Sequence, residues 1–265
     1  TISLHDELRF EENGGKEIIL VSNDYPLLPE DAKDNLIYKA AECIRREYGI
    51  DRGVKITLQK NIPIAAGMAG GSTDAAAVLV GVNRMFDLGF TKKELMERGV
   101  KLGADVPYCI MRGTALSEGI GEILTELPAP PQCHLVIAKP QISVSTKAVY
   151  GKLRVNELAP EEHPDIDGMM ESIKNGDLDG VIGRLGNVLE TVTVPDHPEI
   201  AEIKKVMMEN GACGSLMSGS GPTVFGIYKD RELAEKTCQA LKEADDGRLT
   251  RQVYLTEFYN RKKAR

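Results

Sequence analysis

The residues most able to do chemistry lie in the stretch from Asn61 to Leu79, "NIPIAAGMAGGSTDAAAVL", where Gly67, Gly70 and Gly71 lead into Ser72, Thr73 and an alanine run. A strand ends before this stretch and a helix starts within it. A helix N-terminus presents unpaired amides and a partial positive charge, so an anion can be held there without a basic side chain. Glycines let the backbone approach an oxyanion closely. Ser72 or Thr73 can cap the helix, or donate to a phosphate oxygen or a metal-bound water. Two common phosphate-loop patterns do not fit: no lysine precedes Ser72, as GxxxxGK[ST] requires, and the spacing is GxxGG rather than GxGxxG. A tight strand-to-helix turn with a serine cap is the reading that needs no ligand, but small residues are denser here than a turn requires.

Two further segments matter. In "GADVPYCI", residues 103–110, Asp105 stands at a corner before Val106 and Pro107. Proline disfavours the helical region for the residue before it, so Val106 is expected to be extended. A carboxylate fixed at such a corner is a turn residue or, beside a phosphate site, the base that takes a proton from a substrate hydroxyl. The stretch "GSLMSGSGPTVFG" carries Gly214, Ser218, Gly219, Ser220 and Gly221. It reads either as a backbone nest for phosphate or as a flexible helix-to-strand connection. Two Gly/Ser-rich loops in two layers favour a ligand held in a crevice between them.

The elements that must position these residues follow from periodicity. Strands are expected at 1–10, 17–22 and 54–60, the last alternating Val54, Ile56 and Leu58 inward with Lys55 and Thr57 outward. Residues 35–48 show a helical apolar face of Leu36, Ile37, Ala40, Ala41 and Ile44. A helix at about 73–87 follows the glycine loop, and another runs from a start signal at Thr91 to a stop at Gly103. "PAPPQ" at 128–132 marks a domain boundary, because proline-rich segments continue neither ladder nor helix. Beyond it a strand at 134–138, helices between 145 and 210, a strand at 223–228, a helix at 231–244 and a strand near 252–257 predict a second α+β layer.

Composition excludes several classes. With 265 residues and 42% hydrophobic content the chain buries a real core in one large or two ordinary domains. The net charge of −7 disfavours a nucleic-acid surface, and the basic tail Arg261–Arg265 reads as a solvated terminus. No apolar run reaches a membrane span and no signal peptide appears. The five cysteines form no CxxC pair and read as reduced, mostly buried thiols of a cytoplasmic protein. The four histidines form no zinc spacing, and no GxSxG elbow suggests a hydrolase.

Together, "PIAAGMAGGSTDAAA", "GSLMSGSGPTVFG" and "GADVPYCIMRGTALSEGIGEILTEL" resemble the motifs of the GHMP kinases. Within that superfamily they are most similar to the family that phosphorylates diphosphocytidyl-methylerythritol in non-mevalonate isoprenoid synthesis. "TISLHDEL" and "NLIYKAA" fit the same family. The resemblance implies an α+β, two-domain GHMP kinase fold: a ribosomal-protein-like ATP domain over 1–128 and a ferredoxin-like C-terminal domain over 129–265. It implies ATP and Mg2+, and transfer to the tertiary hydroxyl of a cytidine-diphosphate-linked polyol, with mevalonate- or homoserine-type kinases and a non-catalytic nucleotide-binding fragment as alternatives. Asp105 is the implied base. Pro63, Ile64, Ala65, Ala66, Gly67, Met68, Ala69, Gly70, Gly71, Ser72 and Thr73 would hold the ATP phosphates, and Asn35, Leu36, Ile37 and Lys60 would surround the adenine. Thr146, Tyr150, Gly219 and Ser220 join Asp105 as implied substrate contacts, with Tyr150 able to stack on cytosine. No metal ligand is assigned. The implied partner is a small molecule, neither nucleic acid nor membrane, in a monomer or weak homodimer. The family's first motif, with a catalytic lysine and a cytidine-contacting segment, is expected before Thr1; a molecule beginning at Thr1 is expected to be inactive or nearly so.

Overall fold

The computed structural model describes residues 1–23, 31–244 and 248–259, so the basic tail lies outside the described residues. The chain divides into two compact units. One comprises His5–Ile64 and Ala69–Glu126; the other comprises Thr1–Leu4, Ala65–Met68 and Leu127–Arg265. The glycine loop is thus shared, its middle four residues grouping with the C-terminal unit.

The N-terminal unit contains β1 (Glu7–Glu12), β2 (Ile18–Ser22), α1 (Leu36–Tyr48), β3 (Val54–Gln59), α2 (Gly70–Met85), α3 (Lys92–Gly99), α4 (Val106–Met111), β4 (Thr114–Glu118) and β5 (Ile123–Leu127). Its main sheet has the order β1-β3-β2, antiparallel between β1 and β3 and parallel between β2 and β3. The inward residues of β3 (Val54, Ile56, Leu58) pack in one core with Ile37, Ala40, Ala41 and Ile44 of α1 and Ala75, Val78, Leu79 and Val82 of α2. Alternation in the strand and helical spacing in α1 produce that core directly. Asn35 caps α1 by accepting from the Ile37 amide, and Gly49 ends it in the left-handed conformation.

Four local expectations are corrected and three short strands are added. The strand expected at 1–10 is confined to Glu7–Glu12, because the alternation places Asp6 where an inward apolar residue is needed; Ile2 instead forms an isolated bridge with Phe258. Helix α2 starts at Gly70, so Ser72 and Thr73 lie in its first turn and no side chain caps it. Thr73 Oγ1 donates back to the Ala69 carbonyl at 3.0 Å. Val106 is the first residue of α4 rather than extended, since Pro107 falls in the first turn, where its missing amide costs nothing. The short strands β4 and β5, five residues each, and the strand Gly214–Met217 escape a reading based on apolar alternation. Of the cysteines only Cys133 is buried; Cys43, Cys109 and Cys238 are half-buried and Cys213 is exposed, none in a disulfide.

In the C-terminal unit, β6 (His134–Pro140), α5 (Thr146–Lys152), α6 (Ile166–Asn175), α7 (Leu178–Ile182), α8 (Glu190–Asp196), α9 (Pro198–Glu209), β7 (Gly214–Met217), β8 (Val224–Tyr228), α10 (Arg231–Glu243) and β9 (Thr250–Glu257) follow in order. The antiparallel sheet runs β7-β8-β6-β9. Val136 and Ala138 of β6 face Ile200, Ile203 and Met207 of α9 and Ala234 and Leu241 of α10, while Leu135 points to the opposite cluster with Ile227. Period-two alternation therefore serves both faces of a central strand. The whole is α+β. Among the described residues no helix is long and apolar enough to cross a membrane.

Candidate functional site

The glycine loop starts where β3 ends. Ala65 and Ala69 both take positive φ, 52° and 51°. Each such alanine costs on the order of 1–3 kcal/mol, so the surroundings hold the loop against its own preference. Gly67, at φ 67°, has no alternative: a Cβ there would stand 2.3 Å from the Ser218 carbonyl oxygen. The loop delivers the chain to α2 with a first turn that lacks a side-chain cap. Gly71 is exposed, and Ser72 and Thr73 are half-buried. Such a turn offers its amides to an anion.

Beneath the loop lies a buried group of charges that sequence reading assigned only in part. Lys60 Nζ donates to Asp6 Oδ2 at 2.5 Å and to Asp74 Oδ2 at 2.9 Å. The three side chains are 2%, 1% and 5% exposed. Asp6 Oδ1 accepts the amides of Asn61 and Ile62 at 2.6 and 2.8 Å. Asp74 Oδ1 is buried without a hydrogen-bond partner. Burial pushes the Asp74 carboxyl up to about 7, opposed by the neighbouring Lys60 ammonium. Asp74 was legible as a lone acid on a face otherwise made of alanine, valine and leucine; Asp6 had no signal beyond breaking an alternation.

Helix α4 sets Asp105 beside this loop. A Cβ built on Gly103 would lie 3.8 Å from Ser72 Oγ, and Thr73 Oγ1 lies 3.4 Å from Cys109 Sγ. The first turns of α2 and α4 are therefore neighbours. Asp105 precedes α4 without capping it and is exposed; its backbone carbonyl accepts the Cys109 amide at 3.0 Å, and its carboxylate makes no hydrogen bond or ion pair among the described residues. Its carboxylate is available to a ligand. Cys109 is not a competing nucleophile, because burial pushes its thiol up to about 11.

The adenine-side candidates are distributed unequally. Leu36 lies beside the loop, its Cδ1 3.4 Å from a Cβ position on Gly71. Asn35 uses its amide oxygen as the α1 cap, Ile37 is fully buried in the core, and the Lys60 ammonium is committed to two carboxylates. Pro63 and Ala66 are buried, whereas Ile64 and Met68 are half-buried.

Within the C-terminal unit the second glycine loop is the turn joining β7 to β8. Ser218 N donates to the Thr223 carbonyl at 2.8 Å and Gly221 N to the Ser218 carbonyl at 3.0 Å. Ser218 Oγ donates to the Gly67 carbonyl at 2.9 Å. Thr146 Oγ1 and Ser220 Oγ are 2.8 Å apart. Tyr150, one turn along α5 from Thr146, is 60% exposed. Three residues that sequence reading missed fix this turn. Asn187 Nδ2 donates to the carbonyls of Met217 and Gly219 at 2.9 and 2.8 Å, Glu190 Oε1 accepts the Met217 amide at 2.7 Å, and Thr193 Oγ1 donates to the Ser220 carbonyl at 3.2 Å. No local pattern distinguishes them; only the fold brings them to the loop.

Residues 35–113 match the GHMP kinases N terminal domain and residues 169–246 the GHMP kinases C terminal family. The 4-diphosphocytidyl-2-C-methyl-D-erythritol kinase of Lachnospira eligens is 49% identical over 98% of this chain and 88% of its own. That of Lachnoclostridium phytofermentans is 46% identical over 99% and 88%. A crystal structure of 4-(cytidine 5'-diphospho)-2C-methyl-D-erythritol kinase superposes with a TM-score of 0.78 at 29% identity, covering 97% of this chain and 87% of that one. The homoserine kinase of Cytophaga hutchinsonii also reaches 0.78, but at 23% identity over 94% and 84%, which shows the fold alone. An uncapped, strained glycine loop beside a free aspartate, on a fold and a sequence shared along nearly the whole chain with such enzymes, places this protein among the GHMP kinases, the small-molecule kinase family to which it belongs.

Proposed function

We propose that this kinase transfers the γ-phosphoryl group of ATP to the tertiary 2-hydroxyl of 4-diphosphocytidyl-2-C-methyl-D-erythritol. The substrate is suggested by the names of the relatives at 46–49% identity. The carrying observation is the exposed, unpaired Asp105 carboxylate next to the first turn of α2. Residues Pro63–Thr73 are assigned to the ATP phosphates, with amides of the α2 first turn as donors. Asp105 accepts the proton of the substrate hydroxyl as its oxygen attacks the γ-phosphorus. The bond from that phosphorus to the β–γ bridging oxygen breaks, and ADP departs with the electron pair. The chain's main contribution is position and electrostatics rather than covalent chemistry. Thr146 and Tyr150 are assigned to the cytidine moiety, with the exposed Tyr150 ring offering its face to cytosine.

Magnesium is the expected counter-ion of the nucleotide. Among the described residues no group of three His, Cys, Asp or Glu side chains converges to hold a metal.

The test is turnover by the full-length protein with ATP and a panel of diphosphocytidyl-methylerythritol, mevalonate and homoserine. The cytidine substrate is expected to be phosphorylated selectively, and Asp105→Asn to lower kcat by about 10²–10⁴-fold. Selective turnover of mevalonate or homoserine would overturn the substrate assignment. An Asp105→Asn enzyme with undiminished kcat would remove the base.

A further inference from the structure

The loop carries no lysine of its own, yet a lysine ammonium lies directly beneath its exit. A Cβ added to Gly70, the first residue of α2, would stand 3.1 Å from Lys60 Nζ. The same ammonium is bonded to Asp6, whose other oxygen binds the two amides at the loop's entrance, and to Asp74 in the second turn of α2. Entrance and exit of the loop are therefore fastened to one buried point charge. Between them the backbone adopts two left-handed alanine conformations, which relax unless both ends are held. The group packs against Ile62 and Gly70; among the described residues its charged members are Asp6, Lys60 and Asp74, and Asn23 holds the Lys60 backbone from the side, its Oδ1 accepting the Lys60 amide at 2.8 Å.

We infer that Asp6, Lys60 and Asp74 are positioning residues for the phosphate-binding loop: a buried carboxylate–ammonium–carboxylate clamp that sets the distance between loop entrance and helix start, so that the first-turn amides converge on the nucleotide phosphates. Lys60 serves the phosphates from behind the backbone rather than the adenine by direct contact. This deepens the nucleotide reading of the loop and rests on it, but it is independent of which alcohol is phosphorylated.

The experiment compares ADP with adenosine by calorimetry on the full chain, for wild type and Asp74→Asn. Asparagine keeps the shape and leaves Lys60 an acceptor while removing the charge. Wild type binding ADP establishes the nucleotide reading irrespective of turnover. Asp74→Asn is expected to weaken ADP by about tenfold, the scale of a sub-ångström displacement of donors, and to leave adenosine within twofold. KM for ATP should rise with little change in KM for the alcohol. Equal losses for ADP and adenosine would assign Lys60 to the adenine and overturn the proposal, as would unchanged ADP affinity in a folded variant. Asp6→Asn, which retains an acceptor for the Asn61 and Ile62 amides, gives the same reading should Asp74→Asn not fold.

Discussion

The two glycine loops of this kinase are held in place by different physics. The first, at residues 61–73, is tied down by buried full charges: one ammonium shared by two carboxylates, with one carboxylate oxygen unpaired. The second, between β7 and β8, is held by neutral amide and hydroxyl donors from Asn187 and Thr193, with Glu190 accepting one amide and paired to Lys204 at 2.6 Å. Buried charges are costly to desolvate and costly to separate, so a clamp of that kind is rigid and intolerant. Neutral hydrogen bonds contribute less each and fail singly. The loop that carries two strained alanines is fastened by the stiffer device. The other loop, built on glycines at φ 56° and 84°, stores less strain and needs less.

The sharpest way to break this contrast is Lys60→Met, which leaves two buried carboxylates without their cation. It is expected to destabilise the protein by about 3–5 kcal/mol, read as a loss in urea midpoint. A loss below about 1 kcal/mol would mean that the clamp is not under charge tension. Asn187→Ala is expected to cost about 1–3 kcal/mol through the abandoned Met217 and Gly219 carbonyls, without a change in the pH dependence of unfolding. If it equals Lys60→Met, the two loops are held alike.

The smallest effect is the most specific. An Asp74 carboxyl raised from 3.8 to about 7 in the folded state binds more protons folded than unfolded across that window. Its contribution to stability is thus fully present below about pH 4, falls as pH rises, and is lowest above about pH 7. Asp74→Asn removes this slope, so the variant's thermal midpoint, relative to wild type, should improve as pH is raised from 5 to about 8. A difference independent of pH would show that Asp74 stays ionised throughout.

Much of the architecture was readable because short-range physics writes it into the chain. Alternation in β3, the apolar face of α1, the helix start at Thr91 and the density of small residues at Gly67–Thr73 each announce a local state. Where reading failed, a neighbour outvoted the local pattern. Val106 is helical because Pro107 falls in a first turn, and residues 1–6 leave the strand because Asp6 is needed at Asn61 and Ile62. Ser72 and Thr73 do not cap α2, since the helix begins before them.

The sequence by itself determined an acidic α+β chain with two Gly/Ser-rich loops and an aspartate at a corner two residues before a proline. Those properties follow from residue type and spacing over a few turns. Only the tertiary structure decided that the lysine at the end of β3 is buried between Asp6 and Asp74, 54 residues before it and 14 after it, and that Asn187 reaches across 30 and 32 residues to hold the second loop. A charge or an amide has no period. Its partner is set by which strands and helices the apolar pattern has brought together, and that is a property of the folded core rather than of any segment.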